Sequence, residues 1–233
     1  MSVRAVLFDA GNTLIRMNYV AIAEHLATRG VTATVEQIQR AEWRARVRLD
    51  ADLFANAATG ASTESGDTSA RYVRYMLAEL GVTDEPTVAG VVTWRRDYNA
   101  PKGIFDTVEP RAAEALALVR AAGLSTAVIS NSNGSARAIL EGLDLARHLD
   151  YVIDSHEVGV EKPDPRIFRL ALERSGVDAE GAVYIGDLYS VDVLGARAAG
   201  IRAILLDPGR HWGERDCDLA ADVLDAVRSI VDR

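Results

Sequence analysis

An α/β fold, a Rossmann-like doubly wound parallel sheet with an inserted α-helical bundle, is the architecture this sequence predicts. Three observations carry the prediction. Short apolar runs recur at residues 4–8, 125–130, 151–154, 182–185 and 202–206, each brief and without polar alternation, as suits strands buried on both faces. Helical patterns lie between them at 110–122, 135–143, 165–175 and 191–199, and three of the four close on a glycine, Gly123, Gly176 or Gly200, where a left-handed cap belongs. Finally, the stretch between the first run and the second is too long for one crossover, and most of it reads as helix at 19–29, 35–55, 69–80 and 86–97. Strand and helix alternate everywhere else, which is the pattern of a parallel sheet covered on both sides.

Taken in order, the first run ends on a carboxylate, Val6-Leu7-Phe8-Asp9. The helical stretch that follows is amphipathic, with Ile22 and Leu26 on one segment and Tyr72, Tyr75, Met76 and Leu80 on another, as a small bundle requires. Its Gly-, Ser- and Thr-rich stretch from Thr59 to Thr68 reads as a loop. Pro101 and Gly103 interrupt any helix near 99–103, so the chain divides into a core domain at 1–16 and 99–233 and a helical cap domain at 17–98. The second run ends Val128-Ile129-Ser130-Asn131, and the third is followed by Gly159-Val160-Glu161-Lys162-Pro163. The fourth ends Gly186-Asp187, with Asp192 five residues on. All four places lie at carboxyl ends of strands, the ligand-binding crevice of an open α/β sheet.

Composition bounds the function. The 233 residues are 48% apolar and carry a formal net charge of −8, so a large core is available and no basic stripe points to nucleic acid. Cys217 is the only cysteine, which excludes an internal disulfide framework and a cysteine metal site. The first strand begins within a few residues of Met1, leaving no room for a signal peptide, and no apolar run reaches membrane-span length. A cytoplasmic location is the expectation. Only Lys102 and Lys162 among 26 basic residues are lysine, so each lysine merits a question.

On the motifs Asp9-Ala10-Gly11-Asn12-Thr13-Leu14, Val128-Ile129-Ser130-Asn131, Lys162-Pro163 and Gly186-Asp187-Leu188-Tyr189-Ser190-Val191-Asp192, the chain resembles the haloacid dehalogenase (HAD) superfamily with a cap inserted after the first strand. The resemblance runs from Val6 to about Gly209. It implies a carboxylate nucleophile, Asp9, and in the phosphatase branch Mg²⁺. An anionic phosphate ester repels an attacking carboxylate, and Mg²⁺ offsets that repulsion while favouring a few protein oxygens. Asp9 and Asp187 can supply them; the resemblance adds the Gly11 backbone carbonyl and gives Asp192 a supporting place at the metal. Lys162 would neutralise charge on the nucleophile and phosphoryl group, Ser130 would hydrogen-bond a phosphoryl oxygen, and Asn131 would add a donor.

One departure narrows the reading. In the phosphatase branch a second Asp stands two residues after the nucleophile as general acid and base, a contribution of about 10²–10⁴ in rate, and here that place is Gly11. A substrate with a weakly basic leaving group, such as an acyl phosphate, or a substitute donor among Tyr189, Ser190 and His25 would meet the loss. The 2-haloacid dehalogenase branch also lacks the second Asp but needs no metal, against the retained Gly186-Asp187. The phosphonate-cleaving branch needs a cap lysine, and residues 17–98 contain none. A binding module that kept the fold without turnover is the other alternative. The leading expectation is a Mg²⁺-dependent phosphatase of a small phosphorylated metabolite; oligomeric state is open. Cap arginines Arg44, Arg46, Arg48, Arg71, Arg74, Arg95 and Arg96 suit a solvated face or pairing with Glu42, Asp50 and Asp52, and Trp43 and Trp94 suit a bundle core.

Overall fold

The computed structural model describes residues 2–56 and 62–232. They form two compact units, one of residues 1–16 and 106–233 and one of residues 17–105.

In the first unit β1 (Ala5–Phe8), β4 (Ser125–Ser130), β5 (Tyr151–Asp154), β6 (Ala182–Gly186), β7 (Arg202–Leu206) and β8 (Asp218–Ala220) build one parallel sheet. Its order is β5-β4-β1-β6-β7-β8. β1 sits in the middle, Phe8 opposite Val128 on one side and Ile185 on the other, and all four of its residues are fully buried. Central placement explains the unbroken apolar run, since helices cover both faces. Those helices are α5 (Ala112–Ala121), α6 (Ala136–Gly142), α7 (Ser155–Val158), α8 (Pro165–Ser175), α9 (Leu194–Ala198) and α10 (Val223–Val231). A short antiparallel pair, β2 (Ile15–Arg16) with β3 (Thr107–Val108), joins the two segments of the unit where the chain leaves and returns.

Two elements differ from the sequence expectation. The helix expected at 191–199 begins instead as a wide π turn over Tyr189–Val193 before α9. Asp192 causes this: its side chain turns back to accept the backbone N–H groups of Asp187 and Leu188, and the Val193 N–H reaches the Leu188 carbonyl five residues earlier. α10 carried a signal that periodicity could have found, because Asp222 caps it and Val223, Leu224, Val227 and Ile230 repeat at helical spacing.

The second unit contains α1 (Tyr19–Thr28), α2 (Val35–Ala55), α3 (Gly66–Glu79) and α4 (Glu85–Asp97). Side chains cap every start: Asn18, Thr34 with Gln37 in a reciprocal box, Ser65 and Asp84. The stretch read as a loop from 59 to 68 ends at Ser65, whose hydroxyl accepts the Thr68 N–H and starts α3 at Gly66; residues 59–61 lie outside the described residues. Residues 99–105 pack with this unit, since the Asn18 N–H donates to the Ile104 carbonyl at 2.9 Å and Ile104 is buried.

The arginines of this unit are largely paired. Arg46 forks onto Glu42, which also accepts hydroxyls from Tyr19 and Tyr72, while Arg71 faces Asp52, Arg74 faces Glu85 and Arg44 faces Glu79. Trp94 is half-buried and stacks on His25 at 4.4 Å.

Candidate active site

The turn after β1 presents the first carboxylate. The Asp9 N–H donates to the Ile185 carbonyl at 2.8 Å, and the Ala10 carbonyl gathers the N–H groups of Thr13, Leu14 and Ile15. So tight a turn needs one residue at positive φ, and Asn12 takes it at 52°, a place that asparagine tolerates. Its amide donates to Asp187 Oδ2 at 3.2 Å.

Asp187 ends β6, where Gly186 is required by close packing: a Cβ there would lie 2.4 Å from Asp192 Cγ. That approach lets Asp192 Oδ2 accept the Asp187 and Leu188 N–H groups at 3.1 and 2.9 Å. Asp192 Oδ1 faces the other way and accepts from Lys162 at 2.8 Å and the Tyr184 hydroxyl at 3.0 Å. Two lone pairs per oxygen are thereby occupied. Asp192, expected in a supporting place at the metal, holds the turn through one oxygen and the lysine through the other.

Lys162 is carried by the loop between α7 and α8. Its backbone is clasped by Asn131, whose Oδ1 accepts the Lys162 N–H at 2.8 Å and whose Nδ2 donates to the Lys162 carbonyl at 2.9 Å. Gly195 opens room behind the loop, where a Cβ would meet the Pro163 Cα at 2.9 Å. The ammonium reaches Asp9 Oδ1 at 2.5 Å, Asp192 Oδ1 at 2.8 Å and the Tyr184 hydroxyl at 2.9 Å. Ser130 stands at the end of β4, buried, its hydroxyl donating to the Asn131 carbonyl at 3.3 Å.

The structure therefore brings Asp9, Lys162, Asp187 and Asp192 into one buried cluster. Ser130 and Asn131 stand at the neighbouring strand end, with the Asn131 amide turned to the lysine backbone. One oxygen from each of Asp9, Asp187 and Asp192 lies within 4.8 Å of the others, and every one of these carboxylates is nine-tenths or more buried. Three buried carboxylates against one ammonium leave a deficit of two charges, which a bound cation or the uptake of a proton offsets. Oxygen donors of this kind suit a hard divalent cation, so the residues fit Mg²⁺.

Titration reflects the same imbalance. Burial pushes the Asp9 carboxyl up to about 6, Lys162 opposes that rise, and the Asp192 charge adds to it. Burial alone would lower Lys162, but the charges of Asp192 and Asp9 and their hydrogen bonds outweigh it and hold the ammonium above its ordinary range. The Tyr184 hydroxyl is raised by burial and by the Asp192 and Asp9 charges, which keeps it a proton donor.

Against known proteins, the family model for haloacid dehalogenase-like hydrolases matches residues 3–200. The chain belongs to the haloacid dehalogenase-like hydrolase family. This hydrolase is 32% identical over 215 residues to the haloacid dehalogenase-like hydrolase domain-containing protein 3 of Mus musculus, covering 88% of this chain and 82% of that protein. It is 27% identical to the ribulose-1,5-bisphosphate 5-phosphatase of Halopiger xanaduensis, covering 97% and 98%. Among solved structures, the HAD-hydrolase YfnB of Bacillus subtilis, bound to magnesium, matches all of both chains with a TM-score of 0.66 at 17% identity, a likeness of fold.

Two residues of the hydrolase's cluster were missed in the sequence. Tyr184 was read as one more apolar strand residue, yet a tyrosine inside a fully buried run needs a partner for its hydroxyl. Asn12 left no trace beyond its place in a turn. Two of the three substitute proton donors are engaged elsewhere: the Tyr189 hydroxyl donates to Asp216 at 2.6 Å, and the His25 Nε2 accepts from Arg29 at 3.1 Å, while Ser190 is buried.

Among the described residues no helix is long and apolar enough to cross a membrane.

Proposed function

We propose that this hydrolase is a Mg²⁺-dependent phosphatase that acts on a small phosphorylated metabolite through a phosphoryl group carried on Asp9. The observation that carries the reading is the buried cluster at the carboxyl ends of β1 and β6, whose three carboxylates and single ammonium fall short by the charge of one divalent ion. Relatives named as phosphatases, such as the Halopiger protein, support the same class.

Asp9 and Asp187, with the Gly11 carbonyl, would hold the ion, and Asp192 would brace them. When bound, Mg²⁺ supplies positive charge that lets an anionic ester approach a carboxylate. An Asp9 carboxylate oxygen attacks phosphorus, a bond from Asp9 to phosphorus forms, and the ester P–O bond breaks with its electron pair on the departing oxygen. Lys162 stabilises charge on Asp9 and on the transferring oxygens, and Ser130 donates to a phosphoryl oxygen. Asn131 fixes the lysine's backbone through its amide and would add a donor to a phosphoryl oxygen. Water then attacks phosphorus, the bond from Asp9 to phosphorus breaks with its electron pair on the Asp9 oxygen, and a water proton passes to the phosphate oxygens or solvent, which releases inorganic phosphate and restores the Asp9 carboxylate.

Because Gly11 offers no proton to the departing oxygen, weakly basic leaving groups are favoured, with acyl phosphates first. Residues 17–98 are read as the family's cap and as the carrier of substrate preference, in a cytoplasmic enzyme with no nucleic-acid or membrane partner. Phosphate release from a panel of phosphomonoesters and acyl phosphates, with Mg²⁺ and with chelator, tests the proposal. Mg²⁺-dependent release that Asp9→Asn abolishes is expected. Metal-independent halide release from 2-haloacids, or full activity in Asp9→Asn, would overturn it.

A further inference from the structure

The mechanism above uses Lys162 but leaves Tyr184 without a task, although its hydroxyl touches the ammonium. An ammonium has three N–H donors, and here each has an acceptor: Asp9 Oδ1, Asp192 Oδ1 and the Tyr184 Oη. Two of those acceptors are fixed by the scaffold. Asp192 is pinned by the two backbone N–H groups of its own turn. Tyr184 lies in β6, where its backbone pairs with Leu7 of β1 and Ala203 of β7; its fully buried ring meets Phe168 edge-on at 5.1 Å. The hydroxyl accepts from Lys162 and donates to Asp192 Oδ1 at 3.0 Å, which closes a triangle around the ammonium. Only Asp9, the third acceptor, changes its bonding when an oxygen of it is committed to phosphorus.

We infer that Tyr184 is a positioning residue which, with Asp192, forms a rigid two-acceptor seat for the Lys162 ammonium, so that its one remaining N–H points at Asp9 Oδ1. Lysine is a flexible four-carbon stem ending in a point charge, and two acceptors outside the chemistry hold it while the third is transformed. The seat follows from the geometry alone; its catalytic consequence rests on the function proposed above.

The composition makes the test clean, because the chain has two lysines and Lys102 is exposed. Protein labelled with ¹⁵N at lysine Nζ should show one slowly exchanging ammonium signal, from Lys162. Tyr184→Phe removes a single oxygen, and the Lys162 signal should shift and exchange about tenfold or more faster with solvent. With Mg²⁺ and an acyl phosphate, kcat should fall about tenfold while KM stays within about twofold, as for an interaction made in the transition state. Should Tyr184→Phe fail to fold, 3,5-difluorotyrosine placed at position 184 keeps the ring and weakens the acceptor, and it should shift the signal in the same direction by less. An unchanged Lys162 signal in the variant that folds overturns the seat. Inactivity of the unaltered protein on every phosphate substrate instead overturns the proposed function, and the ammonium signal still decides the seat.

Discussion

Replacing Asp192 by asparagine is the most informative single change to the core unit. Asp192 accepts four hydrogen bonds, two from the Asp187 and Leu188 N–H groups and two from Lys162 and Tyr184, and it is 1% exposed. Asparagine keeps the shape but has one acceptor oxygen and one amino group. If the oxygen faces Lys162, the amino group is set against two backbone donors; if it is flipped, an amino group faces an ammonium. Two buried N–H groups left unmade cost about 1–3 kcal/mol each, and buried Lys162 and Tyr184 donors left unmade cost a similar amount, while Lys162 keeps Asp9 as its ion partner. Either arrangement therefore predicts a loss of about 4 kcal/mol.

The assay must isolate the core unit, since the two units need not unfold together. Trp212 is the only tryptophan of that unit, the other two being Trp43 and Trp94, so its fluorescence in a Trp43→Phe/Trp94→Phe background reports core unfolding by urea. Chelator removes any metal contribution. The midpoint should fall with little change in slope, as expected when stability rather than exposed area changes. A loss under about 1 kcal/mol would refute the assignment of Asp192 as the brace of turn and lysine.

Two further outcomes follow from the same cluster. Gly11→Asp should raise Mg²⁺-dependent hydrolysis of alkyl phosphates, by up to about 10²-fold, and leave acyl phosphates nearly unchanged, because only the poorer leaving group lacks a proton donor; steady-state rates on the two substrate types check this. Asp9 titrates near 6 in the folded protein against 3.8 for an ordinary aspartate, so the folded state binds its proton more tightly. In metal-free protein this group stabilises the fold fully below about 4, and the gain, on the order of 3 kcal/mol, is lost as pH rises through about 6. Denaturation midpoints from pH 4 to 7 should show this component in the unaltered protein and lack it in Asp9→Asn.

Much of this molecule was legible without coordinates. The runs ending at Phe8, Ser130, Asp154 and Leu206 are buried parallel strands because helices on both faces demand apolar side chains at every position, a requirement written directly into composition. Asp9, Lys162 and Asp187 were legible because strand ends in an open α/β sheet converge on one crevice, so their order along the chain implied their meeting in space. What the linear chain could not decide were partners chosen by packing. Asp192 serves the lysine and the turn because Gly186 lets its carboxylate turn back, and Asn131 grips the Lys162 backbone because two loops from different strands run side by side. Tyr184 was hidden for a related reason: its ring satisfies the strand's apolar pattern, and only the fold places an ammonium at the end of its hydroxyl. Local pattern determined the strands, the helices and the list of reactive groups, since burial periodicity and chemistry are properties of single residues. The tertiary structure decided which oxygen each proton faces, since a hydrogen bond across many residues depends on distances that no local pattern contains.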